Sequence, residues 1–323
     1  MPPQPLTVEA VAARIRPRRP IEGISAVLLP FHAAGAPDYD ALAAHVARTA
    51  AAGLIPAVNM DTGYVERLSP AQRARVLRVA REVMGNRPFV AGAYVEGGTG
   101  DLVARYRAAV EAIEASGGTP ILFQCSELSA LPGHEVVALY RRVAAGSRRL
   151  LAFELGRQFA PFGRIYPLDT VRALIEIEAI AGLKHSSLDR GLEWQRLDLR
   201  DRLRPEFKIY TGNDLAIDMV MYGSDYLLGL STFCPAAFAL RDRLWAAGDA
   251  RFYALNDLLQ YLGFLAFRPP TPAYKHSAAQ FLHLRGHISS DAPPPGAPHR
   301  PDTDREILSG VAARLQEWLD ADL

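Results

Sequence analysis

Lysine is almost absent from this chain of 323 residues. Only three of the 36 basic residues are lysines, namely Lys184, Lys208 and Lys275, and the other 33 are arginines. A guanidinium stays charged in proteins, whereas a desolvated lysine amine can lose its proton and attack a carbonyl group. Lys184 lies in the apolar run Ile180–Ser187. It is therefore either a nucleophile or a strand-end lysine whose amine reaches water.

Other scarcities exclude whole classes of protein. The two cysteines, Cys125 and Cys234, are far apart and match no metal or redox spacing. A net charge of +1 gives no basis for a nucleic-acid or membrane-surface partner. No apolar run approaches the length of a membrane span, and Met1–Pro20 lacks the apolar core of a signal peptide. We therefore expect a cytoplasmic protein of enzyme size.

A strand-then-helix alternation repeats at intervals of roughly 30 residues from residue 24 onward. The predicted strands are short, continuous apolar runs, which is typical of parallel strands covered on both faces. They are Ile24–Phe31, Leu54–Met60, Pro88–Val95, Thr119–Cys125, Leu150–Leu155, Ile180–Ser187, Phe207–Asn213 and Ser224–Thr232. Eight such units predict an α/β fold, a (β/α)8 TIM barrel, whose active site would lie at the carboxyl ends of the strands.

The chain divides into three predicted segments. Residues 1–22 form an N-terminal extension, residues 23–245 the barrel, and residues 246–323 a C-terminal helical domain. Apolar residues at helical spacing predict the outer helices Tyr39–Ala52, Pro70–Met84, Asp101–Ser116 and His134–Ala145. The C-terminal segment contains three further predicted helices, with a proline-rich loop at 289–301.

Several motifs occur in the order found in one enzyme family. They are Val27-Leu28-Leu29-Pro30-Phe31, Met60-Asp61-Thr62-Gly63-Tyr64, Gly182-Leu183-Lys184-His185-Ser186-Ser187, Thr211-Gly212-Asn213-Asp214 and Gly223-Ser224-Asp225. In these the chain resembles the dihydrodipicolinate synthase and N-acetylneuraminate lyase family of Schiff-base aldolases. The resemblance implies that Lys184 forms an imine with a small carbonyl substrate, without a metal or organic cofactor. It also implies a homo-oligomer, a tetramer or a dimer.

The same resemblance assigns binding residues. Thr62 and Gly63 match the part of the family that holds the substrate carboxylate, and Gly212 and Asp214 match positions that contact the polar tail of the substrate. Leu228 and Gly229 would line the floor of that pocket. Arg157 lies in a loop above the barrel, where it would clamp a distal carboxylate or phosphate or take a surface role.

The chain departs from the family where protons are moved. Phe153 stands where the family has a tyrosine, so the usual hydroxyl relay is missing. Asp61 replaces a threonine: it is a general acid/base, or the substrate lacks a carboxylate at that end, or Asp61 caps a helix. Tyr64 and Glu154 are the other candidate proton carriers, with a salt bridge to Arg157 or Arg164 as the alternative for Glu154. His185 follows the nucleophile and by strand alternation points to the opposite face, which predicts a structural role.

Three functions remain open on the sequence. The first is a lyase that cleaves or condenses a 2-oxo acid and an aldehyde through an imine on Lys184. The second keeps the imine but carries out decarboxylation, dehydration or aldol chemistry on a carbonyl compound without a pyruvyl carboxylate. The third is a catalytically silent barrel that acts as a ligand sensor.

Overall fold

Eight parallel strands close into a barrel in the order β1 to β8. The computed structural model describes residues 7–322. The strands are β1 (Gly23–Ala26), β2 (Ile55–Val58), β3 (Val90–Ala93), β4 (Thr119–Leu122), β5 (Leu150–Leu155), β6 (Ile180–Ser186), β7 (Lys208–Thr211) and β8 (Asp225–Leu228). The predicted barrel is confirmed, and each strand lies within or next to its predicted run.

Most strands end several residues earlier than the apolar runs do. The residues that follow β2 form a 3-10 turn at Asp61–Gly63, and those that follow β8 form another at Leu230–Thr232. Both turns are buried although they leave the sheet, because helices of the C-terminal segment cover this end of the barrel. The apolar pattern reports burial, and it cannot separate a strand from a buried turn that continues it.

Helices surround the barrel and continue past it. They are α1 (Val8–Ala12), α2 (Tyr39–Ala51), α3 (Pro70–Met84), α4 (Leu102–Ala115), α5 (Ser126–Ala130), α6 (Gly133–Ala144), α7 (Leu168–Ile175), α8 (Arg190–Leu203), α9 (Pro235–Ala247), α10 (Arg251–Ala266), α11 (Tyr274–Leu284) and α12 (Asp304–Asp320). The local sequence explains where α3 begins. Ser69 and Gln72 form a reciprocal capping box, and Pro70 occupies the first helical position.

The N-terminal extension and the C-terminal helices flank this barrel. Of the predicted extension 1–22, residues 1–6 lie outside the part that the structure describes, and α1 falls in the rest. The helices α10 to α12 pack on α9 and on one another, and α11 reaches the carboxyl end of the barrel. None of the helices at residues 7–322 is long and apolar enough to cross a membrane.

Two separate apolar layers form the core. The larger lies between the sheet and the helices, and the smaller fills the barrel interior. Interior side chains alternate with outward ones along each strand: Leu151, Phe153 and Leu155 of β5 point inward, whereas Ala152 belongs to the outer layer. The interior of the barrel is thus filled by side chains. Open space begins only beyond the last inward-facing residues at the carboxyl ends of the strands.

Glu154 follows the same alternation and points outward, into a buried ion cluster. Its two carboxylate oxygens accept hydrogen bonds from Arg196 Nε and Nη2, each at 2.7 Å, and His185 Nδ1 lies 2.6 Å from Oε2. The backbone N–H of Tyr166 donates to Oε1 at 2.7 Å. Burial opposes ionisation, but the charges of His185 and Arg196 and their hydrogen bonds outweigh it and lower the pKa of Glu154 to about 2.

This position separates Glu154 from the nucleophile that it was expected to serve. Glu154 pairs in register with His185, and Phe153 pairs with Lys184, so Glu154 and Lys184 lie on opposite faces of the sheet. The salt bridge weighed as the alternative does exist, with Arg196 as the partner in place of Arg157 or Arg164. The outward position predicted for His185 is found as well.

Replacing Arg196 tests whether this cluster stabilises the barrel. Arg196→Met leaves the Glu154 carboxylate buried without its bidentate partner, so we expect the free energy of unfolding to fall by about 3–5 kcal/mol. Arg202→Met, on the exposed side of the same helix, is the matched control and should change it by no more than about 0.5 kcal/mol. Denaturant unfolding of both variants measures the difference, and equal effects would contradict a stabilising role.

Candidate active site

Lys184 lies inside the carboxyl end of the barrel, on the inward face of β6. Its side chain is 8% exposed, and Nζ lies 4.5 Å from the centroid of the Phe153 ring on the neighbouring strand. Gly212 on β7 leaves the space that this side chain occupies, because a Cβ atom there would lie 2.8 Å from Lys184 Cε. The amine therefore stands above an apolar floor at the end of the barrel where TIM-barrel chemistry takes place.

Asp214 is the carboxylate that acts on this amine most strongly. It follows β7, is 4% exposed, and accepts a 2.7 Å hydrogen bond from the backbone N–H of Leu230 at its Oδ1. Its own carbonyl oxygen accepts a hydrogen bond from Gln260 Nε2 at 3.2 Å, which ties the turn to α10. Asp214 is held rigidly beside the end of β8, with its charge directed at the barrel mouth.

Burial changes the proton affinities of both groups. It lowers the pKa of Lys184 to about 8, against the opposing charges of Asp214 and Asp61. It raises the pKa of Asp214 to about 7, although the N–H groups of Leu230 and Gly229 and the amine of Lys184 favour the carboxylate. A free amine and a carboxyl group that titrates near neutrality are what imine chemistry requires of a nucleophile and its proton carrier.

A second buried lysine lies at the same end of the barrel, at its rim. Lys275, at the start of α11, donates hydrogen bonds to Asp61 Oδ1 at 3.1 Å and to Glu66 Oε1 at 3.2 Å. Its Nζ also lies 4.7 Å from the centroid of the Tyr64 ring. Burial opposes the charge on Lys275, but Asp61 and Glu66 outweigh it and raise its pKa. Lys275 is thus a fixed cation, in contrast to Lys184.

Hydroxyl groups connect this rim to the interior. Thr62 Oγ1 lies 2.7 Å from the hydroxyl of Tyr274, which also donates to Asp61 Oδ2 at 2.9 Å. Gly229 makes room for the pair, because a Cβ atom there would lie 3.0 Å from the Tyr274 ring and 3.2 Å from Thr62 Oγ1. Asp61 therefore does not cap a helix: it accepts from a phenol and an ammonium at the barrel mouth.

An open cavity of about 300 Å³ lies above this network. Its walls are mainly aromatic and proline side chains, and Asp61, Glu66, Arg67 and Lys275 provide its charges. The apolar lining consists of Tyr64, Tyr94, Phe123, Phe159, Ala160, Pro161, Phe162, Pro272, Ala297 and Pro298. Lys184 and Asp214 are not among its lining residues. The Phe123 ring, which lines the cavity, packs edge-to-face on Phe153 at 5.2 Å between centroids and so lies between the cavity and the amine.

Tyr64 has an unusual backbone and a buried hydroxyl. Its φ of 55° is in the left-handed region, and its phenol is 2% exposed with no hydrogen-bond partner among residues 7–322. Burial raises the pKa of this phenol above its ordinary range. Gly63, the residue before it, is buried in the same turn, where a Cβ atom would lie 3.4 Å from the carbonyl oxygen of Val27. Tyr64 is a wall of the cavity.

The structure brings together most of the predicted site residues and separates three. Lys184, Phe153, Asp61, Thr62, Gly63, Tyr64, Gly212, Asp214 and Gly229 meet at the barrel mouth. Glu154 faces outward, as described above. Arg157 is exposed and lines a different cavity together with Gln158 and Ser187. Leu228 belongs to the outer apolar layer, and its neighbour Leu227 is the residue that points inward.

Sequence reasoning did not assign Tyr274, Lys275 or Tyr94 to the site. Tyr274 and Lys275 are 90 and 91 residues from Lys184 in the sequence, a separation that gives no signal of proximity. The one indication that the sequence offered was Lys275 itself, because the chain has only three lysines. Among residues 7–322 no group of three or more His, Cys, Asp or Glu side chains is placed to hold a metal ion.

The fold and the site define a TIM barrel with a buried lysine amine at its carboxyl end. The chain belongs to the family described as "Protein of unknown function (DUF993)", whose pattern matches residues 92–292, more than half of the chain. It is also 32% identical over 188 residues to a protein of Streptomyces coelicolor named "Probable 5-dehydro-4-deoxyglucarate dehydratase 2". That match covers 56% of this chain and 54% of the relative, so the chain spans about half the length of this relative.

Solved structures of similar fold cover nearly the whole chain. Dihydrodipicolinate synthase from Thermotoga maritima has a TM-score of 0.78 at 16% identity, covering 92% of this chain and 99% of that one. A prophage protein of the dihydrodipicolinic acid synthase family from E. coli K12, solved with pyruvate, has a TM-score of 0.79 at 16% identity, covering 92% and 98%. The resemblance to this family is thus confirmed in the fold, which the chain shares with these structures.

The contrast between the two buried lysines can be measured directly. Trace acetylation across a pH series, read by peptide mass spectrometry, should show Lys184 becoming reactive as the pH rises through about 8. Lys275 should become reactive only at higher pH, because two carboxylates hold its proton. Asp214→Asn removes a charge that favours the ammonium, so the Lys184 transition should move to lower pH. A Lys184 transition at or above that of Lys275 would contradict the assignment.

Proposed function

We propose that Lys184 forms a Schiff base with the carbonyl group of a small substrate, and that the chain is a lyase of the class I aldolase type. The observation that carries the proposal is the buried amine of Lys184 over the Phe153 ring, at the open end of the barrel, beside Asp214. Desolvation supplies the neutral amine at a pH where an exposed lysine would be fully charged.

The chemistry balances with the groups present and one water molecule. Lys184 Nζ attacks the carbonyl carbon, a C–N bond forms, and the carbonyl oxygen leaves as water. The iminium then accepts the electron pair of a neighbouring C–C or C–H bond and becomes an enamine. When the C–C bond breaks, the other fragment loses its hydroxyl proton to a base and leaves as an aldehyde; when the C–H bond breaks, the base takes that proton. Reprotonation and hydrolysis by water release the product and the free amine. Each stage needs a group that donates and removes protons near Nζ.

Asp214 is the proton carrier that this site offers. Phe153 has no hydroxyl and cannot take the role of the tyrosine that the family resemblance implies. Asp214 is buried beside the amine, and its pKa of about 7 lets it donate and accept a proton at neutral pH. The Thr62 and Tyr274 hydroxyl pair is the second route, because it links the interior to Asp61 at the rim.

The relatives support a lyase and leave its reaction open. The Streptomyces relative carries the name of a dehydratase, and the structural neighbours include synthases of the dihydrodipicolinate type. We therefore propose cleavage or condensation of a 2-oxo acid with an aldehyde as the reaction, with dehydration of a 2-oxo acid as its variant on the same enamine. The active form would be a homo-oligomer, and its expected location is the cytoplasm.

Reduction with borohydride in the presence of carbonyl compounds tests the proposal. Intact and peptide mass spectrometry should find a covalent adduct on Lys184 with pyruvate or another 2-oxo acid. Lys184→Arg should abolish the adduct because a guanidinium stays charged. The control Lys208→Arg should retain it, since Lys208 pairs with Asp225 at the opposite end of the barrel.

Two results would count against the proposal. An adduct that persists in Lys184→Arg would place the chemistry elsewhere. A folded wild-type protein that traps no 2-oxo acid or aldehyde would overturn the imine and favour a barrel that binds a ligand without reacting with it.

The lining of the cavity favours a second candidate, in which the substrate has an apolar or aromatic body. The charged groups facing this space are Asp61, Glu66, Arg67 and Lys275, so the two carboxylates offset the two cations. Lys275 is already bonded to both acids, and Arg67 donates to the carbonyl oxygens of Pro295 and Gly296. Among the lining residues that the structure describes, no cation is therefore free for a second carboxylate, whereas the aromatic walls suit a ring or an alkyl chain.

Trapping with aromatic carbonyl compounds separates the two candidates. If the body of the substrate is aromatic, an aromatic 2-oxo acid should trap at lower concentration than pyruvate. Phe159→Ala should weaken that advantage by about tenfold, since burial of one phenyl group contributes roughly 1.5–3 kcal/mol. Phe264→Ala, at an exposed position outside the cavity, is the control. Tighter trapping of pyruvate than of every aromatic compound would exclude this candidate.

A further inference from the structure

A second cavity, of about 300 Å³, lies outside the barrel between α2, α9, α11 and α12. It shares no lining residue with the cavity at the barrel mouth. Its apolar walls include Phe233, Pro235, Leu282 and Leu319. Four nitrogen-bearing side chains face it, and they are His45, Arg48, Arg285 and His287. We call this space the helix cavity.

The helix cavity has positive charge without a counterion. Neither Arg48 nor Arg285 forms a salt bridge among residues 7–322, and no carboxylate lines the cavity. Arg285 donates to neutral partners only, Cys234 Sγ at 3.2 Å and Gln316 Oε1 at 2.6 Å. Burial, together with the neighbouring arginines, lowers the pKa of His287 to about 4. Cations that repel one another in a partly buried space lower the stability of the folded protein unless an anion binds between them.

Two buried side-chain nitrogens without a partner indicate where that anion belongs; His45 Nδ1 is a donor in the tautomer in which the Thr232 hydroxyl donates to Nε2. Arg48 Nη2 is buried and has no hydrogen-bond partner in the described part of the chain. His45 is 0% exposed, its Nε2 lies 2.8 Å from Thr232 Oγ1, and its Nδ1 likewise has no partner there. Buried polar atoms without a partner are rare in native structures, and an unfilled ligand site is one physical reason for them.

The backbone contributes to the same site. Helix α9 has 13 residues and begins at the helix cavity, where Cys234, Pro235 and Ala236 line the wall. Pro235 has no N–H group, and the N–H groups of Ala237 and Phe238 donate to the Cys234 carbonyl oxygen at 3.1 and 3.3 Å. The contribution of α9 is therefore mainly the positive end of its dipole, which is directed at this space. A helix N-terminus beside two arginines is a favourable place for an oxyanion.

We propose that the helix cavity binds a small organic anion, a carboxylate or a phosphate group joined to an apolar body. The anionic group would lie between Arg48, Arg285 and the start of α9, with His45 Nδ1 as a further donor. The body would contact Phe233, Leu282 and Leu319. This site does not depend on the chemistry of Lys184.

Binding of two simple probes tests the site. Inorganic phosphate and benzoate should each bind the wild-type protein in calorimetry at constant ionic strength. Arg48→Gln and Arg285→Gln should each weaken binding by about tenfold or more, because a charge-assisted hydrogen bond is lost. Arg141→Gln, which removes the same charge from an exposed position on α6, should bind as the wild type does. Phosphate binding alone would indicate a phosphorylated ligand, and benzoate binding alone a carboxylate.

A second variant distinguishes a binding site from a structural cluster. Ala51→Glu places a carboxylate at the edge of the helix cavity, one helical turn from Arg48. It should raise the melting temperature in anion-free buffer and abolish binding of both probes. Unchanged binding in Ala51→Glu, unchanged binding in the two arginine variants, or failure of both probes to bind the wild type would each overturn the proposal.

Discussion

Desolvation of the Lys184 amine is the constraint on which the site depends. Water stabilises an ammonium far better than the apolar interior of a barrel, so burial favours the neutral form. The Phe153 ring partly offsets this cost, because the face of an aromatic ring attracts a cation. Gly212 provides the volume for the side chain. Asp214 is buried near this amine. Burial therefore brings the pKa of Lys184 and the pKa of Asp214 close to each other and close to neutral pH.

Two lysines at the same end of the barrel have opposite properties because their partners differ. Each amine lies against an aromatic ring, but Lys184 forms no hydrogen bond through Nζ with residues 7–322, whereas Lys275 donates to two carboxylates. Both are almost fully buried, so burial alone does not decide which lysine is a nucleophile. Paired anions hold the proton on one amine, and apolar surroundings release it from the other.

The C-terminal helices are part of the site as well as a cover for the barrel. Helix α11 supplies Tyr274 and Lys275 to the mouth, and α10 fixes the turn that contains Asp214 through Gln260. The departure from the family at Asp61 is linked to these contacts. An aspartate is tolerated at position 61 because Tyr274 and Lys275 satisfy its oxygens, which removes the repulsion that the sequence suggested for a neighbouring carboxylate.

The sequence alone determined the barrel and the place of the lysine that we propose as its nucleophile. Eight apolar runs separated by amphipathic helices specify parallel strands covered on both faces, and one lysine at the end of such a run specifies where the amine lies. Strand alternation also placed His185 on the outer face. The same rule would have placed Glu154 there, since it is one residue from the inward-facing Phe153. It would also have placed Leu228 on the outer face, since Leu228 follows the inward-facing Leu227.

Only the tertiary structure decided what surrounds the amine. Tyr274 and Lys275 reach the barrel mouth from positions 90 and 91 residues beyond Lys184 in the sequence, and no local pattern encodes a contact of that range. The pKa of a buried group depends on every charge that packs around it, so the neutral amine and the fixed cation could be told apart only once their neighbours were in place.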